Sequence, residues 1–294
     1  MSVGAKRLAQ IFFVSGAQKS GTTWMQRLLD AHPEVVCSGE GHFIEELWGP
    51  LLKLRGDYNT KQALVAERVY EGKPYYPEMG LGDMAAVGRS LIVRRMSARA
   101  TPQTKAIGDK TPRYTQHLVE LERLFREARF INVVRHPYDV TVSRLHHGVR
   151  AGVRDALAQG HRDHRLLVRN AAGAWSVAQA RVAAFRPGRE QKLRQVRYED
   201  LLADAGAVAA ELYRFLGVSD APELVAAAVQ ASSFEALSGR KPGEEDKTSF
   251  FRKGIAGDWR GSLDKDDLKV VDDLCGELMR AEGYQRADEE EAAA

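Results

Sequence analysis

Near the N-terminus, Gly16-Ala17-Gln18-Lys19-Ser20-Gly21-Thr22-Thr23-Trp24 brings one ammonium, three hydroxyls and two glycines into nine residues. A lysine and hydroxyl donors, set on backbone that glycine allows to come close, suit a phosphate or a similar oxyanion. The run Ile11-Phe12-Phe13-Val14 before it reads as a strand buried on both faces. Behind it, Trp24, Met25, Leu28 and Leu29 recur at helical spacing. The loop therefore lies where a strand feeds a helix, whose first N–H groups and positive dipole end attract an anion. An ordinary turn capped by Thr22 would need neither Lys19 nor both glycines.

Further groups fall at the ends of other short apolar runs. Val35-Val36-Cys37 leads into a tight loop, Ser38 to Phe43, that carries Glu40 and His42. If that strand lies beside the first, the loop opens over the same sheet edge. Lys105 to Gly108 breaks at Asp109, Lys110, Thr111 and Pro112. In open α/β sheets, ligands bind at such carboxyl ends. Phe130 to Val134 runs into Arg135, and Pro137 suits the first turn of a helix that carries Ser143 eight residues after the arginine. Both could reach one anion, and arginine grips phosphate with two prongs. A pairing of Arg135 with Asp139 is the plainer alternative. Arg252, Lys253 and Gly254 form a compact cationic loop.

These strands alternate with helices at about 44–54, 86–100, 117–127, 170–185 and 264–279, with Gly217 as a left-handed helix stop. Alternation of this kind predicts an α/β, three-layer P-loop-like fold, with a central parallel sheet and helices on both faces. Residues 1–287 are expected to form a single domain with an aromatic-rich insertion at about 44–100, a place for an acceptor pocket. Residues 288–294, acidic and alanine-rich, are expected to be disordered.

Composition narrows the function. The 294 residues carry 43 basic and 40 acidic side chains, a net charge of +3, so no nucleic-acid partner is called for. The segment 144–169, rich in arginine and histidine, is either a solvated face or a lid attracting an anionic donor or acceptor. Its histidines lack a clean metal spacing, and no metal is expected. Two cysteines, Cys37 and Cys275, suit a reducing, cytoplasmic setting. No secretory leader or membrane-spanning run is visible, and no membrane partner is expected.

Lys19 precedes the second glycine of its loop instead of following it, so the loop is not a Walker A motif. The order Lys-Ser-Gly-Thr-Thr-Trp resembles the 5′-phosphosulfate loop of sulfotransferases that use 3′-phosphoadenosine 5′-phosphosulfate (PAPS). Arg135 with Ser143 is similar to that family's 3′-phosphate site, and Phe251 to Trp259 to the C-terminal donor-binding segment of its cytosolic branch.

The resemblance implies that Lys19, Ser20, Gly21, Thr22 and Thr23 hold the phosphosulfate. It implies that Trp24, Tyr198, Ser232 and Phe234 hold the adenine, and that Arg135, Ser143, Arg252, Lys253 and Gly254 hold the 3′-phosphate. The reaction it implies is metal-independent, in-line transfer of a sulfuryl group to a hydroxyl or amine of a small-molecule acceptor. It leaves 3′,5′-adenosine bisphosphate (PAP), with Lys19 and Lys110 offsetting charge on the departing oxygen.

A base must take the acceptor's proton. The Lys-Thr-His stretch that supplies it in cytosolic animal enzymes reads Lys110-Thr111-Pro112 here, so the histidine is missing. Glu40, in about the place of the glutamate used by carbohydrate-directed members, is favoured, ahead of His42 and then Asp109. A P-loop nucleotide kinase and a non-catalytic nucleotide-binding module are the alternatives. The family's short dimerisation motif is not visible after Trp259, and the oligomeric state stays open.

Overall fold

The computed structural model describes residues 9–249 and 251–293. Phe250 and the first eight residues, including the stretch read as carrying no leader, lie outside them. The five strands are β1 (Gln10–Gly16), β2 (Val35–Gly39), β3 (Ala106–Lys110), β4 (Arg129–Val134) and β5 (Leu193–Arg197). They form one parallel sheet in the order β2-β3-β1-β4-β5. The P-loop-like α/β expectation holds.

One expected neighbour differs. The strand leading to Glu40 does not lie beside β1, because β3 pairs with both. Gly39 and Val14 are each in register with Lys110, so the loop after β2 still opens at the same edge as the loop after β1.

The apolar run of β1 is buried on both faces because each face carries its own helical layer. Phe12 and Val14 pack with α1 (Thr22–Asp30), α8 (Ala205–Leu216) and α9 (Pro222–Ala231). Ile11 and Phe13 point the other way, into α3 (Leu81–Met96), α4 (Leu118–Leu124) and α6 (Arg162–Phe185). A third cluster joins α6 to α5 (Pro137–Arg150) and α11 (Lys265–Ala281) around fully buried Trp175. Gly108 in β3 leaves room for the Phe12 ring, which a Cβ there would strike.

Several element bounds differ from the sequence expectations. The segment 44–100 is a helical hairpin, a π turn (Ile44–Trp48) running into α2 (Gly49–Val69) and then α3. Its apolar contacts go to the sheet's outer layer through Ile44, Ile92 and Met96. Tyr75 and Tyr76 at its tip are 76% and 70% exposed. α6 starts at Arg162, well before residue 170, because the His161 ring accepts from the Asp163 N–H and caps it.

The tail expected to be disordered from 288 is helical, α12 (Ala287–Ala293). Alanine and glutamate are good helix formers. Glu289 also accepts from the Arg286 N–H and pairs with Arg280 at 2.9 Å. Among the described residues, no helix is long and apolar enough to cross a membrane.

Gly108→Ala should lower stability by about 1–3 kcal/mol through overpacking against Phe12. Urea unfolding should give a lower midpoint with an unchanged slope; an unchanged midpoint would contradict the packing described.

Candidate functional site

All five strands end at one edge of the sheet, and each is followed by or ends in a polar group singled out above. Lys19 follows β1, Glu40 follows β2, Lys110 ends β3, Arg135 follows β4 and Tyr198 follows β5. A cavity of about 290 Å³ opens there. Its walls include Lys19, Gly21, Thr22, Thr23, Trp24, Glu40, Arg135, Ser143, Tyr198, Phe234, Arg252, Lys253 and Gly254. Most of the residues drawn from distant parts of the chain thus meet in one space.

The first loop is shaped by its backbone. Lys19 adopts φ +77° and Gly21 φ +95°, both in the left-handed region. Gly21, not Thr22, caps α1, and a Cβ on it would lie 2.5 Å from the Tyr198 ring. Only glycine fits there. The buried Ser20 hydroxyl has no hydrogen-bond partner, and a buried donor left unmade is costly. It therefore fits an anion with acceptor oxygens. Burial, then repulsion from Arg150, Arg144 and Arg135, lowers the Lys19 pKa to about 8, against the pull of Glu40.

The far wall is held by two carboxylates. Asp139, 1% exposed, accepts from the N–H groups of Gly257 and Trp259 at 2.8 and 3.2 Å, and lies 3.7 Å from Arg135. The plainer alternative for Arg135 is thus present alongside its place in the cavity. Its guanidinium also stacks over the Tyr198 ring at 4.3 Å and donates to the Ile255 carbonyl at 2.9 Å.

Asp258 binds Arg252 and, at 2.5 Å, Lys253. Burial opposes its ionisation, yet the hydrogen bonds from Lys253 and Arg252 outweigh that and hold its carboxyl below the usual range. Gly254 has φ +64° and packs against Phe234 so closely that a Cβ would clash with the ring. Trp24 meets Tyr198 edge to face at 5.6 Å.

Around Lys110 the carboxylates divide their roles. Lys110 donates to Glu40 Oε1 at 2.5 Å and to Thr23 Oγ1 at 3.4 Å, and His42 Nε2 lies 3.5 Å from Glu40 Oε2. Asp109 faces inward. It accepts from the Gly41 N–H at 3.1 Å, the Thr111 hydroxyl at 2.9 Å and the Tyr114 hydroxyl at 2.8 Å. Burial raises its pKa, against the hydrogen bonds from Tyr114, Thr111 and Gly41. It fixes the loop that carries Glu40 and His42 and is not among the cavity-lining residues.

Nor is Ser232, whose hydroxyl is spent on the Ala228 carbonyl at 2.8 Å. Residues 44–100, expected to offer an acceptor pocket, contribute none of the lining residues. Their hairpin packs on the outer layer instead. Pro112 lines the cavity where the missing histidine was sought.

Sequence reasoning did not assign Gln18, Arg144, His146, His147 and Arg150 to the site, yet all five line it. The arginine- and histidine-rich composition of 144–169 was the only signal for the last four, and Gln18 had only its place beside Lys19. One group among the described residues could hold a cation: Asp155, His161 and Asp163, whose ligand atoms lie within 4.8 Å of one another. It lies outside the cavity.

A family model described as "Sulfotransferase family" matches residues 11–222, which include β1, Arg135 and Tyr198. The chain belongs to the sulfotransferase family. Its curated relatives include protein-tyrosine sulfotransferase A of Caenorhabditis elegans, 27% identical over 45% of this chain and 32% of that protein. Protein-tyrosine sulfotransferase 2 of Gallus gallus is 28% identical over 42% of this chain and 31% of that protein. The match spans about a third of the length of these two relatives.

Among solved structures, a mouse sulfotransferase complexed with PAP has a TM-score of 0.55 at 17% identity, over 92% of this chain and 85% of that one. A retinol dehydratase complexed with androsterone and PAP has a TM-score of 0.53 at 19% identity, over 93% and 82%. At such identities the likeness establishes the sulfotransferase fold.

Asp109→Asn should turn an accepting oxygen into a donor facing N–H and O–H groups and cost about 1–3 kcal/mol. Thermal unfolding of this sulfotransferase-family chain should show a lower midpoint. Stability equal to the parent would mean that Asp109 does not organise the loop.

Proposed function

We propose that the protein transfers a sulfuryl group from PAPS to a hydroxyl acceptor, releasing PAP. The observation that carries the reading is a single cavity with two cationic ends, the Lys19 loop and the Arg135–Arg252–Lys253 wall, beside a carboxylate already bonded to a lysine. A P-loop kinase would need a Walker lysine and a magnesium ligand, and a mere binding module would leave Glu40 and Lys110 without a task. Residues 1–287 are taken as one such domain. Cytoplasmic location is part of the proposal, supported by the buried, free thiols of Cys37 and Cys275.

In this reading, Lys19, Ser20 and the backbone of Gly21 to Thr23 receive the phosphosulfate. Arg135, Ser143, Arg252, Lys253 and Gly254 receive the 3′-phosphate. Trp24, Tyr198 and Phe234 enclose the adenine, with Ser232 acting only through the helix end that positions Phe234.

Glu40 takes the acceptor's proton as the acceptor oxygen bonds to sulfur. The bridging sulfur–oxygen bond breaks, and PAP leaves with the electron pair. Lys19 and Lys110 offset the charge that develops, which is where fixed cations lower a barrier most. Glu40 is preferred over His42 because it lines the cavity, and Asp109 becomes a positioning residue. No step calls for a metal. The names of the curated relatives favour a phenolic hydroxyl, on a small molecule or on a protein tyrosine.

The experiment is incubation with sulfur-labelled PAPS and a panel of phenols, alcohols, sugars and amines, with and without chelator. Transfer to a phenol that survives chelator is expected. PAP binding with no transfer to any class would leave a nucleotide-binding module. Glu40→Gln should lower kcat by about 10²- to 10⁴-fold, the scale of a lost general base, with PAP affinity kept; an unchanged kcat would remove Glu40 from that role.

Lys19 supplies a pH test. Its pKa of about 8 in the free protein rises when an anion binds, so above that pH binding takes up a proton. PAP affinity should fall by up to about tenfold per pH unit on the alkaline side, and Lys19→Arg should flatten the fall. Calorimetry in buffers of different ionisation enthalpy would measure the proton. A pH-independent affinity would contradict the assignment.

A further inference from the structure

We propose that Glu199 is a positioning residue for the 3′-phosphate: together with Tyr284 it fixes the peptide from which Arg135 reaches the cavity, so that preference for a 3′-phosphorylated nucleotide depends on two side chains outside the cavity lining. This rests on the donor-site reading above and names a determinant of its specificity.

Arg135 and His136 lie between β4 and α5, and the peptide joining them is gripped at both ends. Its carbonyl, on Arg135, accepts from Trp175 Nε1 at 2.9 Å, and its N–H, on His136, donates to Glu199 Oε1 at 3.0 Å. Because a peptide is planar, holding both ends fixes the backbone from which the Arg135 side chain leaves. Arg135 is 8% exposed, and its Nε is buried with no hydrogen-bond partner among the described residues. Such a donor is costly until an acceptor arrives, and a phosphate oxygen is one.

Glu199 also belongs to the platform beneath the guanidinium. It follows Tyr198 in the first turn of α7 (Tyr198–Ala203), and the Arg135 guanidinium lies over the Tyr198 ring at 4.3 Å. The neighbours Arg135-His136 and Tyr198-Glu199 are therefore joined twice, by a cation–ring contact and by a charge-assisted hydrogen bond. Neither Glu199 nor Tyr284 is among the cavity-lining residues.

The second oxygen of Glu199 is held from a distant segment. Tyr284, which is buried, donates its hydroxyl to Glu199 Oε2 at 2.7 Å. Burial, then the charge of Glu199, raises the Tyr284 phenol pKa, so the hydroxyl keeps its hydrogen. The residues after Tyr284 close on the same turn. His136 Nδ1 accepts from the Tyr138 N–H at 3.3 Å, which leaves the ring hydrogen on Nε2, 3.2 Å from the Gln285 carbonyl. The Ala287 N–H donates to the Tyr138 hydroxyl at 3.2 Å. Residues 284–287 thus clamp the turn that presents Arg135. Removing Glu199 loosens that turn while leaving every group assigned to the nucleotide in the chain.

The test compares PAP with 5′-AMP by calorimetry on the full chain. The two ligands differ only in the 3′-phosphate, so the ratio of their affinities isolates the grip on that group. The parent protein should prefer PAP. Glu199→Ala should cut the preference about tenfold, the scale of one charge-assisted hydrogen bond, with AMP affinity nearly unchanged. Tyr284→Phe keeps the ring and its packing and should give a smaller cut in the same direction. Glu199→Gln retains an accepting oxygen and should restore most of the preference.

A preference that neither Glu199→Ala nor Tyr284→Phe lowers, or PAP and AMP weakened alike, overturns the proposal, because a merely structural role would not single out the 3′-phosphate. A parent protein that binds PAP and AMP equally would instead sink the 3′-phosphate assignment, and the proposal with it.

Discussion

Parallel pairing is the constraint on which the rest depends. Because every strand runs the same way, all five carboxyl ends fall on one edge, and whatever follows a strand is delivered to one place. Register sharpens this, since Val14 and Gly39 both align with Lys110. Lys19, Glu40, Lys110, Arg135 and Tyr198 meet because of that geometry and not because of any nearness in the chain. Two apolar layers, one on each face of β1, keep the sheet from shifting.

A cavity so rich in cations is costly to assemble, and the structure offsets that cost unevenly. Buried Asp139 ties α5 to the segment that carries Trp259, while Asp258 holds Arg252 and Lys253 ready. These pairs hold the far wall in place. At the other end, burial and then three arginines bring the Lys19 pKa down to about 8, against the pull of Glu40.

Glu40 and Asp109 show how the same chemical group acquires different work from its surroundings. Glu40 faces the cavity with Lys110 and His42 at its two oxygens. Asp109, one residue before Lys110, points inward, and its hydrogen bonds lock the loop on which Glu40 sits. Neighbouring residues on a strand face opposite sides, so Lys110 reaches Glu40 while Asp109 turns inward.

The sequence by itself determined the strand-loop-helix at Lys19, the parallel α/β class, the residues on both cationic walls and the family. Each of these is carried by local patterns, an apolar run, a glycine pair or a fixed spacing, that need no knowledge of distant contacts. It could not tell that β3 intervenes between β1 and β2, since strand order is set by packing between remote segments. Nor could it tell that the 44–100 hairpin lies away from the cavity or that residues 287–293 close a helix. The orientation of Asp109, the pairing of Arg135 with Asp139 and the turning of Arg144, His147 and Arg150 into the cavity were decided only by the tertiary structure. Which way a side chain faces depends on the layer packed against it, and that layer comes from elsewhere in the chain.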